Sequence, residues 1–138
     1  MPRIAGVNLV AVLVAAVVVY FVGFLWYGLL FSSMWMAGHG YTEAMFEGNS
    51  PLWMAAGFII PVVLCFGLAW HMKQKGITRT DTAIMYGVWL SLLIGVPLMA
   101  YNFVYSPGHS LDVFLIDASH TVVSIIAACA VIALIDRN

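Results

Sequence analysis

Residues 111–135 read LDVFLIDASHTVVSIIAACAVIALI. A helix needs about 20 mainly apolar residues to cross the hydrocarbon core of a bilayer, and this run exceeds that length. Its ionisable side chains lie in its first half, with Asp112 near the start and Asp117 and His120 inside the apolar stretch. The segment therefore predicts a membrane-spanning helix that carries two polar groups within the bilayer.

Three further apolar runs of similar length precede it, at residues 7–31, 52–72 and 82–105. The chain of 138 residues is 64% hydrophobic and 8% charged, with a mean hydropathy of +1.03. Soluble domains carry roughly 25% charged residues, so water could not solvate this surface. The sequence predicts an all-α integral membrane four-helix bundle, which forms a single transmembrane domain over residues 1–138.

The basic residues predict how this bundle is oriented. All of them flank the apolar runs on one side: Arg3, Lys73, Lys75, Arg79 and Arg137. Connections 32–50 and 106–110 contain no lysine or arginine, and the longer one holds a predicted amphipathic turn at 42–47. The positive-inside rule then predicts cytoplasmic N and C termini in a multi-pass cell-membrane protein, which we expect in a bacterial inner membrane. The formal net charge of −1 argues against a nucleic-acid partner.

Small residues spaced four apart predict where the helices approach each other, because close backbone contact drives association in lipid. The predicted packing positions are Gly57, Gly87, Ser91, Gly95, Ser124 and Ala128. Pro61 and Pro97 each remove a backbone donor and should kink or loosen the second and third helices. Short connections predict that helices two, three and four are sequential antiparallel neighbours.

A polar cluster is predicted in the outer half of the bilayer. At a rise of about 1.5 Å per residue from Leu111, Asp117 lies about 9 Å deep and His120 about 14 Å deep. These two side chains share a helix face and could exchange a hydrogen bond across one turn. The predicted members of the cluster are Tyr27, Tyr101, Asn102, Asp117 and His120. Such a cluster either titrates protons or satisfies its own hydrogen bonds and fixes helix register.

The other reactive side chains give only weak indications of a metal site or a catalytic site. The nearest approach to a metal-ligand set is His109, Asp112, Asp117 and His120. Their spacing matches no closed zinc site, so neither a metal nor a cofactor is predicted. Cys65 and Cys129 lie in apolar runs without CxxC spacing and are interpreted as packing residues. No nucleophile motif is present, so no catalytic residue is assigned and an enzyme is not favoured.

Several short motifs resemble those of a known family. They are GFLWY at 23–27 followed by Phe31 and Trp35, NLVAVL at 8–13, Tyr101-Asn102, and LID at 115–117 with His120. Over nearly the whole chain they resemble the small bacterial and fungal membrane proteins of domain-of-unknown-function family 1761. The resemblance implies four transmembrane helices and supplies no established activity. Residues 38–49 match least, so they inherit no role from it.

Two functions from different classes remain open. In the first, the chain is an oligomeric transport-like or pore-like protein, with homo-oligomer contacts along the helix seams and Asp117 and His120 titrating protons. In the second, it is a non-catalytic membrane module that binds lipid or serves as an accessory subunit of another membrane protein. A membrane enzyme with an Asp–His–Tyr acid–base set is a third alternative. No motif specifies a small-molecule or ion ligand.

Overall fold

The computed structural model describes residues 1–137 and is mostly helical. Four helices are long and apolar enough to cross a membrane. We call them the first to fourth long helices, and they cover Leu9–Leu30, Leu52–Gln74, Thr80–Tyr105 and Leu111–Ile135. The main architecture is therefore the all-α arrangement that the apolar runs predict.

Three of the four long helices consist of shorter regular elements, and further short elements lie outside the long helices. In chain order these are β1 (Arg3–Ile4), β2 (Val7–Asn8), α1 (Leu9–Gly23), a π-helical segment (Phe24–Leu30), α2 (Ser32–His39), a 3-10 turn (Glu43–Phe46), α3 (Leu52–Gly57), α4 (Ile59–Gln74), α5 (Thr80–Leu90), a second π-helical segment (Ser91–Gly95), α6 (Val96–Tyr105) and α7 (Leu111–Ile135). The first long helix starts at Leu9 rather than Val7, because Asn8 ends an antiparallel hairpin and caps α1. Its side chain accepts the N–H groups of Val10 and Ala11, which have no partner inside the helix.

Both helical prolines coincide with interruptions, as predicted. The second long helix breaks at Phe58, between α3 and α4, three residues before Pro61. Proline cannot donate to the carbonyl four residues earlier, which here belongs to Gly57. Pro97 follows the π-helical segment of the third long helix, where a wider turn accommodates the missing donor. The break at Phe58 lies in the first third of the second long helix, and the π-helical segment lies near the middle of the third.

The connection between the first two long helices contains more structure than the sequence predicted. The expected turn is present as the 3-10 turn, whose Met45 and Phe46 side chains are exposed. Helix α2 was not foreseen, since it is only two turns long and carries few apolar positions. It ends at Gly40, whose φ of 69° is left-handed and common after a helix C-terminus. Helix α2 packs against α7 and covers one end of the bundle.

Helix α7 is the centre of the bundle. It packs against α1 on one side and α5 on the other, while α4 packs mainly on α1. The second and third long helices do not pack along each other, so the prediction that they are neighbours is wrong. A short connection brings only the joined ends of two helices together. Here the second long helix packs on the first and the third packs on the fourth, so the first and fourth lie between them.

Two of the predicted packing positions in the third long helix, Gly87 and Gly95, lie against α7. A Cβ atom built on Gly87 would lie 3.0 Å from the Ile126 Cα, and one on Gly95 would lie 2.9 Å from a Thr121 methyl. The other buried seam positions are Ser91, Ser124 and Ala128. Gly57 is not a packing position, because a Cβ there would meet nothing within 4 Å.

The two ends of the bundle differ in charge and packing. At one end, which we call the basic end, Arg3 pairs with Asp136 at 2.8 Å and Arg137 donates to the Thr80 hydroxyl at 2.8 Å. Exposed Arg79 bonds Asp81 here, and these hydrogen bonds raise the pKa of the Arg79 guanidinium. The main hydrophobic core occupies the half of the bundle nearest this end. The opposite end, formed by residues 31–51 and 105–111, we call the acidic end.

Candidate functional site

The predicted polar cluster centres on a hydrogen bond between the first and fourth long helices. The Tyr27 hydroxyl donates to Asp117 Oδ1 at 2.6 Å. The adjacent Trp26 indole donates to the Ser119 hydroxyl at 2.9 Å. Neighbouring residues of a regular helix point in different directions, but Trp26 and Tyr27 lie on a wider π-helical turn and both reach α7. Two interhelical hydrogen bonds therefore fix this crossing.

His120 belongs to the same cluster through Tyr27. The two ring centroids lie 5.0 Å apart, and both side chains are partly buried. The hydrogen-bond partner that the structure gives the His120 ring is Ser124, with Nε2 3.3 Å from Oγ. The expected direct bond between His120 and Asp117 is replaced by contacts of both side chains with Tyr27. The phenol thus stands between the carboxylate and the imidazole.

The other two predicted members lie apart from this centre. Tyr101 is 64% exposed and stacks on Tyr105, with ring centroids 6.1 Å apart. Asn102 accepts a hydrogen bond from Ser106 at 2.6 Å and lines the same pocket as Asp117. Adjacent positions on α6 diverge around the helix, so the two side chains could not both face α7. Asn102 contributes to the site, whereas Tyr101 does not.

A polar pocket of about 260 Å³ opens at the acidic end. It lies between helix α2, the end of α6, the connection 106–110 and the start of α7. Its polar lining comes from His39, Tyr41, Asn102, Ser106, His109, Ser110 and Asp117. We call it the polar pocket. Asp117 is the lining residue furthest along α7, and it forms the floor.

A second cavity lies on the side of the bundle and is larger and mainly apolar. This lateral groove, of about 620 Å³, runs between the first, second and fourth long helices. Close to the break at Phe58, the Met54 carbonyl accepts a hydrogen bond from the Tyr20 hydroxyl at 2.7 Å, and both residues line the groove. Three polar side chains of α7 lie on its inner wall, namely His120, Thr121 and Ser124.

The polar pocket and the lateral groove approach each other at the polar cluster. Asp117 lines the pocket, whereas Tyr27 and His120 line the groove. The Tyr27–Asp117 hydrogen bond is therefore the partition between a polar cavity and an apolar one. The side chains of this cluster therefore border two different environments.

Comparison with known proteins gives one match. A family model described as "Protein of unknown function (DUF1761)" matches residues 10–133. The chain belongs to the DUF1761 family. The matched region includes Tyr27, Asp117 and His120 and nearly all of the four long helices. No curated protein and no solved structure matches the chain.

Two features of this DUF1761 site were not predicted from the sequence. The pairing of Trp26 with Ser119 was missed, although a buried indole usually requires an acceptor and could have signalled one. A group of rings over the acidic end was missed as well. Trp35 packs on Tyr27 at 5.4 Å between centroids, and His39 stacks on Tyr41 at 4.7 Å. These rings come from helix α2 and the residues after it, which the sequence presented as a loop.

The other potentially reactive side chains of the long helices lie outside this site. Within residues 1–137, no group of three or more His, Cys, Asp or Glu side chains is arranged to hold a metal ion. Cys65 and Cys129 are buried free thiols of the core. The only other histidine inside a long helix, His71, contacts Tyr86 near the basic end. The chemistry of the described chain is therefore concentrated around Tyr27, Asp117 and His120.

Proposed function

We propose that the protein is a multi-pass membrane protein whose basic end faces the cytoplasm, with both termini on that side. The four apolar helices support insertion, since their exposed faces carry large apolar side chains that water would not solvate. The basic residues support the orientation, because all of them lie at one end.

This orientation can be measured with single cysteines in a Cys65→Ala/Cys129→Ala background. Exposed Glu47 and Lys75 lie at opposite ends of the bundle. A membrane-impermeant maleimide should label Glu47→Cys in intact cells and should label Lys75→Cys only after permeabilisation. Labelling of Lys75→Cys in intact cells would contradict the proposed orientation.

We further propose that the protein is a non-catalytic module that binds a membrane-dissolved molecule in the lateral groove. The observation that carries this proposal is the combination of an apolar groove with hydrogen-bonding side chains on its inner wall. Ligand sites are typically apolar cavities of about 300–1,000 Å³ with a few polar groups that fix orientation, and the groove matches this description. Its rim residues Phe24, Met54 and Ile60 are exposed on the side of the bundle, where acyl chains would surround them.

The depth of the polar wall suggests the class of ligand. His120 lies about 14 Å along α7 from its start, far below the level of phospholipid head groups. A phosphate would have to leave the interface to reach it, which is costly in hydrocarbon. A neutral hydroxyl or carbonyl group is tolerated at this depth and could bond the imidazole. The proposed ligand is therefore an apolar, lipid-soluble molecule with one or two neutral oxygen groups.

Two glycines of the second long helix provide a matched test. Gly57 lines the groove, Gly67 lies elsewhere on the helix, and a Cβ atom on either would meet nothing within 4 Å. Gly57→Leu should fill part of the groove and reduce copurified neutral lipid about tenfold, whereas Gly67→Leu should not change it. The measurement is solvent extraction and mass spectrometry of protein purified in detergent. Equal retention by both variants, or no bound neutral lipid in the wild type, would contradict the proposal.

The alternative of an oligomeric transport-like protein has one supporting observation, namely that Asp117 of the polar pocket and Tyr27 of the groove are hydrogen-bonded to each other. A passage through a single chain is not supported, because the half of the bundle nearest the basic end is filled by the hydrophobic core. Transport would therefore require additional surfaces between copies. Proton-linked flux in proteoliposomes that is lost in Asp117→Asn would favour this alternative over the binding module.

A further inference from the structure

The acidic half of the bundle carries negative charge without any fixed positive charge. The chain has six acidic residues, and two of them, Asp81 and Asp136, lie at the basic end with every lysine and arginine. The remaining four are Glu43, Glu47, Asp112 and Asp117. Among residues 1–137, this half therefore offers its carboxylates no guanidinium or ammonium partner. A cation from outside would meet a favourable field there.

The floor of the polar pocket presents one of these carboxylates. Tyr27 bonds Asp117 Oδ1, and within residues 1–137 no side chain or backbone group bonds Oδ2. Three aromatic side chains, Tyr41, Phe103 and Phe114, line the same pocket, and the ring centroids of Phe103 and Phe114 lie 5.0 Å apart. The pocket thus combines a carboxylate with aromatic side chains in its lining.

We propose that the polar pocket binds a small organic ammonium ion. A carboxylate supplies the charge, and aromatic faces attract the alkylated ammonium through cation–π contacts. At about 260 Å³ the pocket is smaller than the usual range for drug-sized ligands, which limits the guest to a compact cation. A divalent metal would need several oxygen or nitrogen ligands, and residues 1–137 bring no three His, Cys, Asp or Glu side chains together to hold one. This site is separate from the lateral groove, so the two proposals stand or fall independently.

Binding can be measured by isothermal titration of the purified protein with choline chloride. Alkyl-maltoside micelles are the appropriate medium because they contain no ammonium groups. The neutral isostere 3,3-dimethyl-1-butanol serves as the matched ligand control. Choline should bind saturably and at least tenfold more tightly than the neutral alcohol. Equal affinity for both compounds, or no saturable binding of choline, would overturn the proposal.

Three variants identify the site. Asp117→Asn keeps an acceptor for Tyr27 but removes the charge, and should weaken choline binding at least tenfold. Asp112→Asn removes an exposed charge from the same helix and should leave the affinity within twofold. Tyr41→Leu alters an exposed ring outside the long helices and should weaken binding of choline but not of the alcohol. Wild-type affinity in both Asp117→Asn and Tyr41→Leu, or displacement of choline by equimolar K⁺, would overturn the proposal.

Discussion

Replacing Gly87 by leucine is expected to lower the free energy of unfolding by about 2–3 kcal/mol. A Cβ atom at this position would lie 3.0 Å from the Ile126 Cα and 3.4 Å from the Ile125 carbonyl oxygen. These are backbone atoms of α7, which cannot rotate away as a side-chain end can. The added side chain must therefore push α5 off α7, the helix at the centre of the bundle. Close backbone approach is the main source of helix association in lipid, so the loss should be large.

The matched control for this change is Gly67→Leu, because Gly67 is exposed and a Cβ there meets nothing within 4 Å. Both changes replace helical glycine by leucine and gain similar helix propensity, about 1 kcal/mol. Unfolding in mixed micelles with increasing dodecyl sulfate, followed by tryptophan fluorescence, gives the two free energies. If the two variants unfold at the same dodecyl sulfate fraction, Gly87 is not a close-contact position.

The contrast between Gly87 and Gly57 shows how far spacing rules extend. Both glycines belong to predicted seams with a spacing of four, and the spacing rule assumes a continuous helix. The third long helix keeps its register through α5, so Gly87 faces α7. The second is broken at Phe58, and residues 52–56 of α3 are exposed. Pro61 signalled the break in the sequence, but the placement of α3 depends on tertiary contacts such as that of Tyr20 with Met54.

The same limit applies to predicting which residues form the site. Asp117 and His120 were predicted from their depth in an apolar helix, and that reasoning needs only the rise per residue. To predict whether Tyr101 or Asn102 lies at the site, one must know how α6 is rotated about its axis. That rotation changes when a π-helical segment precedes the helix. Such segments leave no clear pattern in sequence. The part of the polar pocket formed by α2 could not be predicted either, because this helix is too short for its apolar periodicity to be recognised.

The largest effect expected inside the site comes from Tyr27→Phe, which should cost about 1–1.7 kcal/mol of unfolding free energy. The change removes only the hydroxyl that bonds Asp117 at 2.6 Å. A partly buried carboxylate then loses its donor while keeping its burial, and an unsatisfied group costs more than the average hydrogen bond contributes. Interhelical hydrogen bonds in membrane proteins contribute about 0.6 kcal/mol on average and up to about 1.7, which bounds the estimate. Tyr101→Phe is the control, since that ring is exposed and lies outside the cluster.

A double-mutant cycle distinguishes this bond from a general effect of the substitution. If the hydroxyl acts through the carboxylate, Tyr27→Phe should cost less than half as much in an Asp117→Ala background, giving a coupling energy above about 0.5 kcal/mol. Dodecyl sulfate unfolding of the four proteins measures it directly. Additive effects would mean that Tyr27 stabilises the bundle through its ring contacts with Trp35 and His120 alone. The Tyr27–Asp117 pair would then no longer count as the polar link between the pocket and the groove.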